Sequence, residues 1–250
     1  METSVCLIVC IGIPGAGKTT FCTRVREELG QLYSFYYFSY DELSEGDYTG
    51  LGRRRIFEIV ESKLNNIDVY YKPIVVFVDD NMYYKSMRAE YLRLAKKYNT
   101  SFLQLYFDVK LETAIARNKY RTINNIPDRI ICEMALKIEK PQKYVFIVNS
   151  NIGYTKCVLD SFRNAVNEAL QNPLKNSEEV PEIVTIESKI HSVDLVLRKL
   201  VGDRIKRDKT QALMYINKRK DVLEKIKRNS ILIPENYKDC DLYEYFNRYF

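Results

Sequence analysis

The chain has 250 residues and a mass of 29.5 kDa, with 46% hydrophobic and 29% charged residues and a formal net charge of +6. That composition excludes global disorder and repetitive fibrous chains, and no apolar run approaches the roughly 20 residues that a membrane span needs. The N-terminus carries an acid and lacks a basic leader with a small-residue cleavage site, so the chain reads as intracellular and cytoplasmic.

In chain order, the first stretch organises the rest. Val5 to Ile11 is an apolar, β-prone run that leads straight into Gly12-Ile13-Pro14-Gly15-Ala16-Gly17-Lys18-Thr19-Thr20. The spacing is GxxxxGK[ST], the phosphate-binding loop, in its required context of strand, loop and helix. Glycines let successive N–H groups turn inward on an anion, and a helix starting near Lys18 adds its positive dipole end. Lys18 then bridges the β- and γ-phosphates of ATP, and the Thr19 hydroxyl is a ligand for Mg2+.

Phe21 to Leu29 reads as the covering helix, ended by Gly30, and Ser34 to Ser39 as an aromatic second strand that runs into Tyr40-Asp41-Glu42. Residues 44–52 read as a glycine-bearing loop. Ile56, Ile59, Val60 and Leu64 then mark a helix reaching Asn65. Ile74 to Val78, closed by Asp79 and Asp80, has the Walker B pattern: a buried strand whose terminal acid, Asp79, meets the magnesium. Which of the two acids lies nearer the metal is open from the sequence. A helix over 85–97, a strand over 102–107, helices over 111–120 and 128–140 and a strand over 144–148 complete the alternation. The fold class is therefore α/β, a doubly wound parallel sheet of five strands with its ligands at the carboxyl ends of the strands.

An amphipathic helix over 155–171 is followed by the best linker candidate, 172–181. Beyond it, Ile183, Ile186, Ile190, Val193, Leu197 and Leu200 recur at helical spacing, and this narrow apolar seam suits either packing on the core or a homodimer. From Arg198 to Arg228 twelve Lys/Arg stand against four Asp/Glu, net +8, which leaves −2 for everything else. A basic face of this kind suits a polyanionic partner, although Lys/Arg-rich helix surfaces are often only solvated. The tail from Leu242 to Phe250 again has helical spacing. The expected organisation is a kinase core over 1–172 and a basic α-helical extension over 182–250.

Among the remaining groups, Cys6 and Cys10 share one face of the first strand and read as small hydrophobes, and no CxxC pair is present. His191, the single histidine, sits in a polar segment and reads as a surface residue. Asp41 closes the second strand at the edge that carries Lys18 and Asp79, where it can take a proton from an acceptor hydroxyl; the competing reading is a helix N-cap. Arg117 and Arg121 are four apart, so one helix would present both on a single face. Placed after the fourth strand, they can close as a lid over the γ-phosphoryl group.

On GIPGAGKTT, SYDEL, VDDNMYYKSMRAEYLRLAKKY, ARNKYR and the EKP at 139–141, the chain resembles the O-phosphoseryl-tRNA(Sec) kinases. The likeness to eukaryotic members continues through EALQNPLKN and LVLRKLV, covering most of residues 5–205. It implies a P-loop kinase that moves the γ-phosphate of ATP to the hydroxyl of serine esterified to selenocysteine tRNA, seryl-tRNA(Sec). It further implies Asp41 as base or magnesium-organising acid, Arg117 and Arg121 as the lid pair, and a C-terminal domain that grips tRNA. Tyr83, Tyr84, Met87 and Arg88 match the family segment after the Walker strand and would shape the seryl pocket. Two alternatives share the core. Elongator-associated tRNA-binding ATPases read nearer Asn-Tyr-Ile-Lys-Gly-Tyr-Arg after that strand, and polynucleotide or small-metabolite kinases would use Asp41 and the arginines equally well.

Overall fold

The first strand sets the architecture. Val5–Ile11 (β1) is seven apolar residues in a row, all buried, as a strand covered by helices on both faces must be. Ser34–Ser39 (β2), Ile74–Asp79 (β3), Ser101–Asp108 (β4) and Val145–Asn149 (β5) join it in one sheet of order β2-β3-β1-β4-β5. Every pairing is parallel, with Cys6 opposite both Val75 and Ser101. In this computed structural model, residues 4–43, 50–67, 71–122, 125–175, 186–228, 230–233 and 239–250 are described. The chain leaves β1 toward one side for β2 and β3 and then crosses to β4 on the other. The crevice of such a sheet therefore opens at the carboxyl end of β1.

The helices of this part are Lys18–Leu29 (α1), Tyr40–Leu43 (α2), Gly50–Asn65 (α3), Lys85–Lys97 (α4), Leu111–Lys119 (α5), Asp128–Lys137 (α6) and Lys156–Gln171 (α7). One core layer joins Cys6, Ile8 and Cys10 of β1 to Phe21 and Val25 of α1 and to Leu159, Phe162 and Val166 of α7. Phe21 lies at its centre, edge-on to Phe107, Tyr154 and Phe162 at 5.0–5.6 Å, the offset geometry that aromatic quadrupoles favour. Burial pushes the Cys6 thiol up to about 12, so it packs as a neutral, apolar group.

Several boundaries differ from expectation for local reasons. α3 starts at Gly50, inside the stretch read as loop; residues 44–49 lie outside the described residues. α5 stops at Lys119, and α6 ends at Lys137 because Ile138 turns extended ahead of the Glu139-Lys140-Pro141 segment. Proline disfavours helix in the residue before it, which fits an exit there.

The chain divides into two compact units, one of residues 1–45 and 58–182 and the other of 46–57 and 183–250. The linker expected over 172–181 lies outside the described residues from 176 onward. In the second unit, Ile186–Arg207 (α8), a short 3-10 turn at Lys209–Gln211, Ala212–Lys227 (α9) and Asp239–Asn247 (α10) follow one another. Val193, Leu197 and Leu200 of α8 are buried with Val222 and Ile226 of α9 and Leu242 and Phe246 of α10, so these three seam residues are covered within the unit. Arg219 of α9 forks onto Asp194 of α8 at 2.8 and 3.2 Å, and Arg198 joins them. Burial alone would raise the Asp194 carboxyl; the two guanidinium groups outweigh it and hold its pKa below the ordinary value. Lys206, Arg207, Lys209, Lys218 and Lys220 are exposed and form no ion pair among the described residues. The side chain of His191 lies outside them. Among the described residues no helix is long and apolar enough to cross a membrane.

Candidate active site

The turn after β1 needs its glycines for both conformation and space. Gly15 and Gly17 have φ of 81° and 85°, a left-handed backbone that strains any residue with a Cβ. A Cβ on Gly15 would stand 2.1 Å from the Ala114 carbonyl oxygen, and one on Gly17 would stand 2.3 Å from the Tyr154 hydroxyl. Gly12 fits between Ala16 and Phe107, and its N–H donates to the Asn81 carbonyl at 3.0 Å. Ile13, Pro14 and Ala16 are buried in the loop, while Thr19 and Thr20 face outward. Gly17 caps α1 without a side-chain hydrogen bond, which leaves first-turn N–H groups available to an anion. Lys18 is only 8% exposed. Its ammonium donates to the Gly12 and Ile13 carbonyls at 3.0 and 3.3 Å and to Asn81 Oδ1 at 2.9 Å.

Asp79, at the end of β3, lies where the Walker acid was expected, and the residue is 5% exposed. Thr19 Oγ1 donates to its Oδ2 at 2.7 Å, and the Tyr37 hydroxyl from β2 donates to the same oxygen. Hydroxyl and carboxylate oxygens are hard donors of the kind magnesium takes, with phosphate oxygens and water completing its shell. Among the described residues no group of three or more His, Cys, Asp or Glu forms a separate metal site. Thr19 and Asp79 therefore fit Mg2+ held jointly with a nucleotide. Asp80 is half-buried beside them.

Asp41 occupies the first turn of the four-residue α2. The N-cap role falls to Ser39, whose hydroxyl accepts the Glu42 N–H at 3.3 Å, so the Asp41 carboxylate is not spent on a cap. Although the residue is largely exposed, desolvation of its carboxyl raises the pKa. Lys18 and Arg121 pull it down, Asp80 and Asp79 push it up, and the result lies above the ordinary carboxylate value. Asp41 thus stands in the field of Lys18, Asp79 and Arg121 together. Tyr40 ties α2 to α4 through a buried hydroxyl pair with Tyr91 at 2.7 Å.

One expectation about the arginines is corrected. Because α5 ends at Lys119, Arg121 lies beyond the helix, and the two side chains do not leave one helical face. Arg117 forks onto Ser150, from one nitrogen to its carbonyl at 2.7 Å and from another to its hydroxyl at 3.1 Å. Arg121 instead exerts its charge at Asp41. Between them Asn118, fully buried, holds the returning chain by donating to the Ile126 carbonyl at 2.7 Å and accepting the Ile126 N–H at 3.3 Å. Ser150 Oγ donates to the Ala16 carbonyl, and the Tyr154 hydroxyl donates to the Gly17 carbonyl at 2.9 Å. Gly17, Thr20, Arg117, Ser150, Ile152, Gly153 and Tyr154 line a cavity of about 260 Å³ beside the loop. Its volume and position suit the nucleoside end of a nucleotide whose phosphates lie on Gly15 to Thr19.

Tyr83, Tyr84, Met87 and Arg88 are less exposed than a pocket lining suggests. Tyr84, Met87 and Arg88 are 6%, 7% and 3% exposed, and Tyr83 is half-buried with its ring 4.4 Å from that of Tyr84. The Arg88 guanidinium donates to the carbonyls of Met82 and Glu139 at 2.7 and 2.8 Å. Glu139 returns a bond from its N–H to the Tyr83 carbonyl and accepts the Lys85 N–H on its carboxylate. Met82 takes a left-handed φ of 40°, an uncommon conformation for a bulky residue. Asn81, Ser150, Tyr154 and Tyr37 carry the site as much as the residues read from the sequence. None of the four was singled out from the sequence, although Tyr37 falls in the aromatic second strand and Asn81 in the segment after the Walker strand.

A family model described as "Chromatin associated protein KTI12" matches residues 5–235. The L-seryl-tRNA(Sec) kinase of Mus musculus is 35% identical over 158 residues, 58% of this chain and 44% of that protein. The protein of the same name from Methanococcus maripaludis is 26% identical over 224 residues, 81% of this chain and 82% of its own. The chain thus spans less than half the length of the mouse relative. Among solved structures, a gluconokinase from Sinorhizobium meliloti superposes with a TM-score of 0.50 at 16% identity, over 68% of this chain and 97% of that one. Chaetomium thermophilum Kti12 in complex with ADP-AlF3 gives 0.50 at 18% identity, over 66% of this chain and 98% of its own. These two likenesses bear on the fold.

Proposed function

This chain belongs to the family described as chromatin associated protein KTI12, and from its relatives named L-seryl-tRNA(Sec) kinase we propose that it phosphorylates the seryl hydroxyl of seryl-tRNA(Sec) with ATP, for selenocysteine synthesis. The observation that carries the reading is the union of two things. The relatives named L-seryl-tRNA(Sec) kinase match this chain, and a carboxylate with a raised pKa stands in the field of the phosphate-loop lysine, with no cap to serve.

In the reaction the seryl oxygen attacks the γ-phosphorus, the bond from that phosphorus to the β–γ bridging oxygen breaks, and ADP leaves with the bond's electron pair. Asp41 accepts the seryl proton. Lys18 and the N–H groups from Gly15 to Thr19 neutralise charge on the phosphates, and Arg121, whose charge reaches Asp41, stabilises the transferred group. Thr19 and Asp79 would hold Mg2+, which would supply charge neutralisation on the nucleotide phosphates. Arg117, set in the cavity wall, serves the nucleoside end. Tyr83 is the most accessible of the four pocket residues, and Arg88 acts from behind by fixing the carbonyls of Met82 and Glu139. The tRNA body falls to the basic helical unit, through Lys206, Arg207, Lys209, Lys218 and Lys220. Free thiols at Cys6, Cys10, Cys22, Cys132 and Cys157 suit a reducing compartment, consistent with the cytoplasm.

The test is transfer of labelled γ-phosphate to seryl-tRNA(Sec), seryl-tRNA(Ser) and free serine. Label confined to seryl-tRNA(Sec), and released as phosphoserine by mild alkaline deacylation, is the expected result. The family description favours a second reading, a tRNA-stimulated regulatory ATPase of the Kti12 kind, and hydrolysis without transfer would select it. Label at an RNA 5′ end would select a polynucleotide kinase.

A further inference from the structure

Tyr37 belongs to no expected motif, yet it reaches the most charged part of the site. It stands opposite Phe77 in the β2–β3 register, two residues before the pair of Ser39 and Asp79. Side chains two apart on a strand share a face, so Tyr37, Phe77 and Asp79 all lie on the α1 side of the sheet. The Tyr37 ring packs against the main core cluster, and the Arg26 guanidinium from α1 lies 5.3 Å from its centre. The Tyr37 hydroxyl donates to Asp79 Oδ2. Thr19 Oγ1 donates to that same oxygen at 2.7 Å, so the other carboxylate oxygen has no hydrogen bond among the described residues.

A carboxylate at the end of a strand can rotate about its last torsions, and two donors on one oxygen remove that freedom. Thr19 is the lesser anchor, because as a proposed ligand it must also present its oxygen to the cation. Tyr37 has no such second duty, and its ring packs against the core cluster.

We infer that Tyr37 is a positioning residue for magnesium: its hydroxyl fixes the Asp79 carboxylate so that the second oxygen faces the cation held with the nucleotide. The inference rests on the reading of Thr19 and Asp79 as the metal residues, and it is independent of which hydroxyl receives the phosphate. Partners of this outer kind typically change metal affinity by about 10–100-fold when removed.

The experiment is direct binding of a fluorescent ADP analogue to the full chain, with EDTA and across a Mg2+ titration, alongside thermal unfolding. In Tyr37→Phe the ring packing stays and the hydroxyl goes. Its metal-free nucleotide affinity and melting temperature should match the unaltered protein, while the Mg2+ midpoint rises at least about tenfold. Arg26→Met, which removes the cation over the ring and leaves the hydroxyl, should keep the original midpoint. An unmoved midpoint in Tyr37→Phe, an equal loss of metal-free binding, or the same shift in Arg26→Met would each overturn the assignment. ADP binding with no Mg2+ dependence in the unaltered protein would overturn both the assignment and the metal site beneath it. Failure of phosphate transfer to seryl-tRNA with the Mg2+ shift intact would remove only the proposed acceptor.

Discussion

Asp41 shows how neighbours decide the chemistry of a single carboxylate. Its helix takes its cap from Ser39, and desolvation with Asp79 and Asp80 outweighs Lys18 and Arg121 to raise its pKa. A base acts deprotonated, so activity should rise with pH through that raised pKa. The acidic limb of kcat/KM is expected above the ordinary Asp value of about 3.9. Asp41→Asn should leave ATP binding near its original strength and lower transfer by roughly 10²–10⁴-fold, the usual share of general base catalysis; unchanged turnover would remove Asp41 from the chemistry. Arg121→Ala takes away a charge that lowers this pKa, and the limb should then move to still higher pH. A limb that stays put would place Arg121 outside the field of the base.

Among the elements, the turn between β5 and α7 governs the phosphate loop from outside the motif. Ser150 holds the Ala16 carbonyl and accepts Arg117, while Tyr154 holds the Gly17 carbonyl and fills the space where Gly17 has no Cβ. Tyr154→Phe keeps the packing of the ring on Phe21 and removes the hydroxyl that bonds the Gly17 carbonyl and Ser150 Oγ, a net of about 0.5–1.5 kcal/mol for each bond. The expected result is a KM for ATP raised about 2–10-fold with kcat retained, read from an ATP titration. A fall in kcat at constant KM would mean that the turn acts on transfer and not on nucleotide binding. On the other side of the loop, Asn81 links Lys18 and Gly12 to the segment that Arg88 and Glu139 brace. The phosphate loop is thus held from two directions, by the Ser150 and Tyr154 hydroxyls on its carbonyls and by the Oδ1 and carbonyl of Asn81 on Lys18 and Gly12.

For the whole molecule, the second unit separates structural from available charge. Arg198 and Arg219 are committed to Asp194, and Lys225 and Arg228 are paired along α9 with Asp221 and Glu224. Reversing Lys206, Arg207 and Lys218 to Glu should weaken tRNA binding and flatten its salt dependence, by roughly 0.7–0.9 in log–log slope for each phosphate no longer neutralised. The melting temperature should hold, since these side chains are exposed. A steady salt slope after the reversal would leave this face as solvated surface.

Where interactions are local, the sequence determined the outcome by itself. A seven-residue apolar strand followed by glycines, lysine and threonine specified β1, the phosphate loop and the start of α1, because glycine conformation and helix dipole act within a few residues. The alternation of β and α segments likewise predicted a parallel five-stranded sheet with an acid closing β3. The division of Arg117 from Arg121 was not legible, since it turns on a helix that stops at Lys119 and on Asn118 reaching across to Ile126. Nor were Tyr37, Asn81, Ser150 and Tyr154, each of which meets a partner at least 42 residues away in the chain. Hydrogen bonds of that span depend on strand order and register, which bring separate strand ends to one edge, and only the folded sheet decides them.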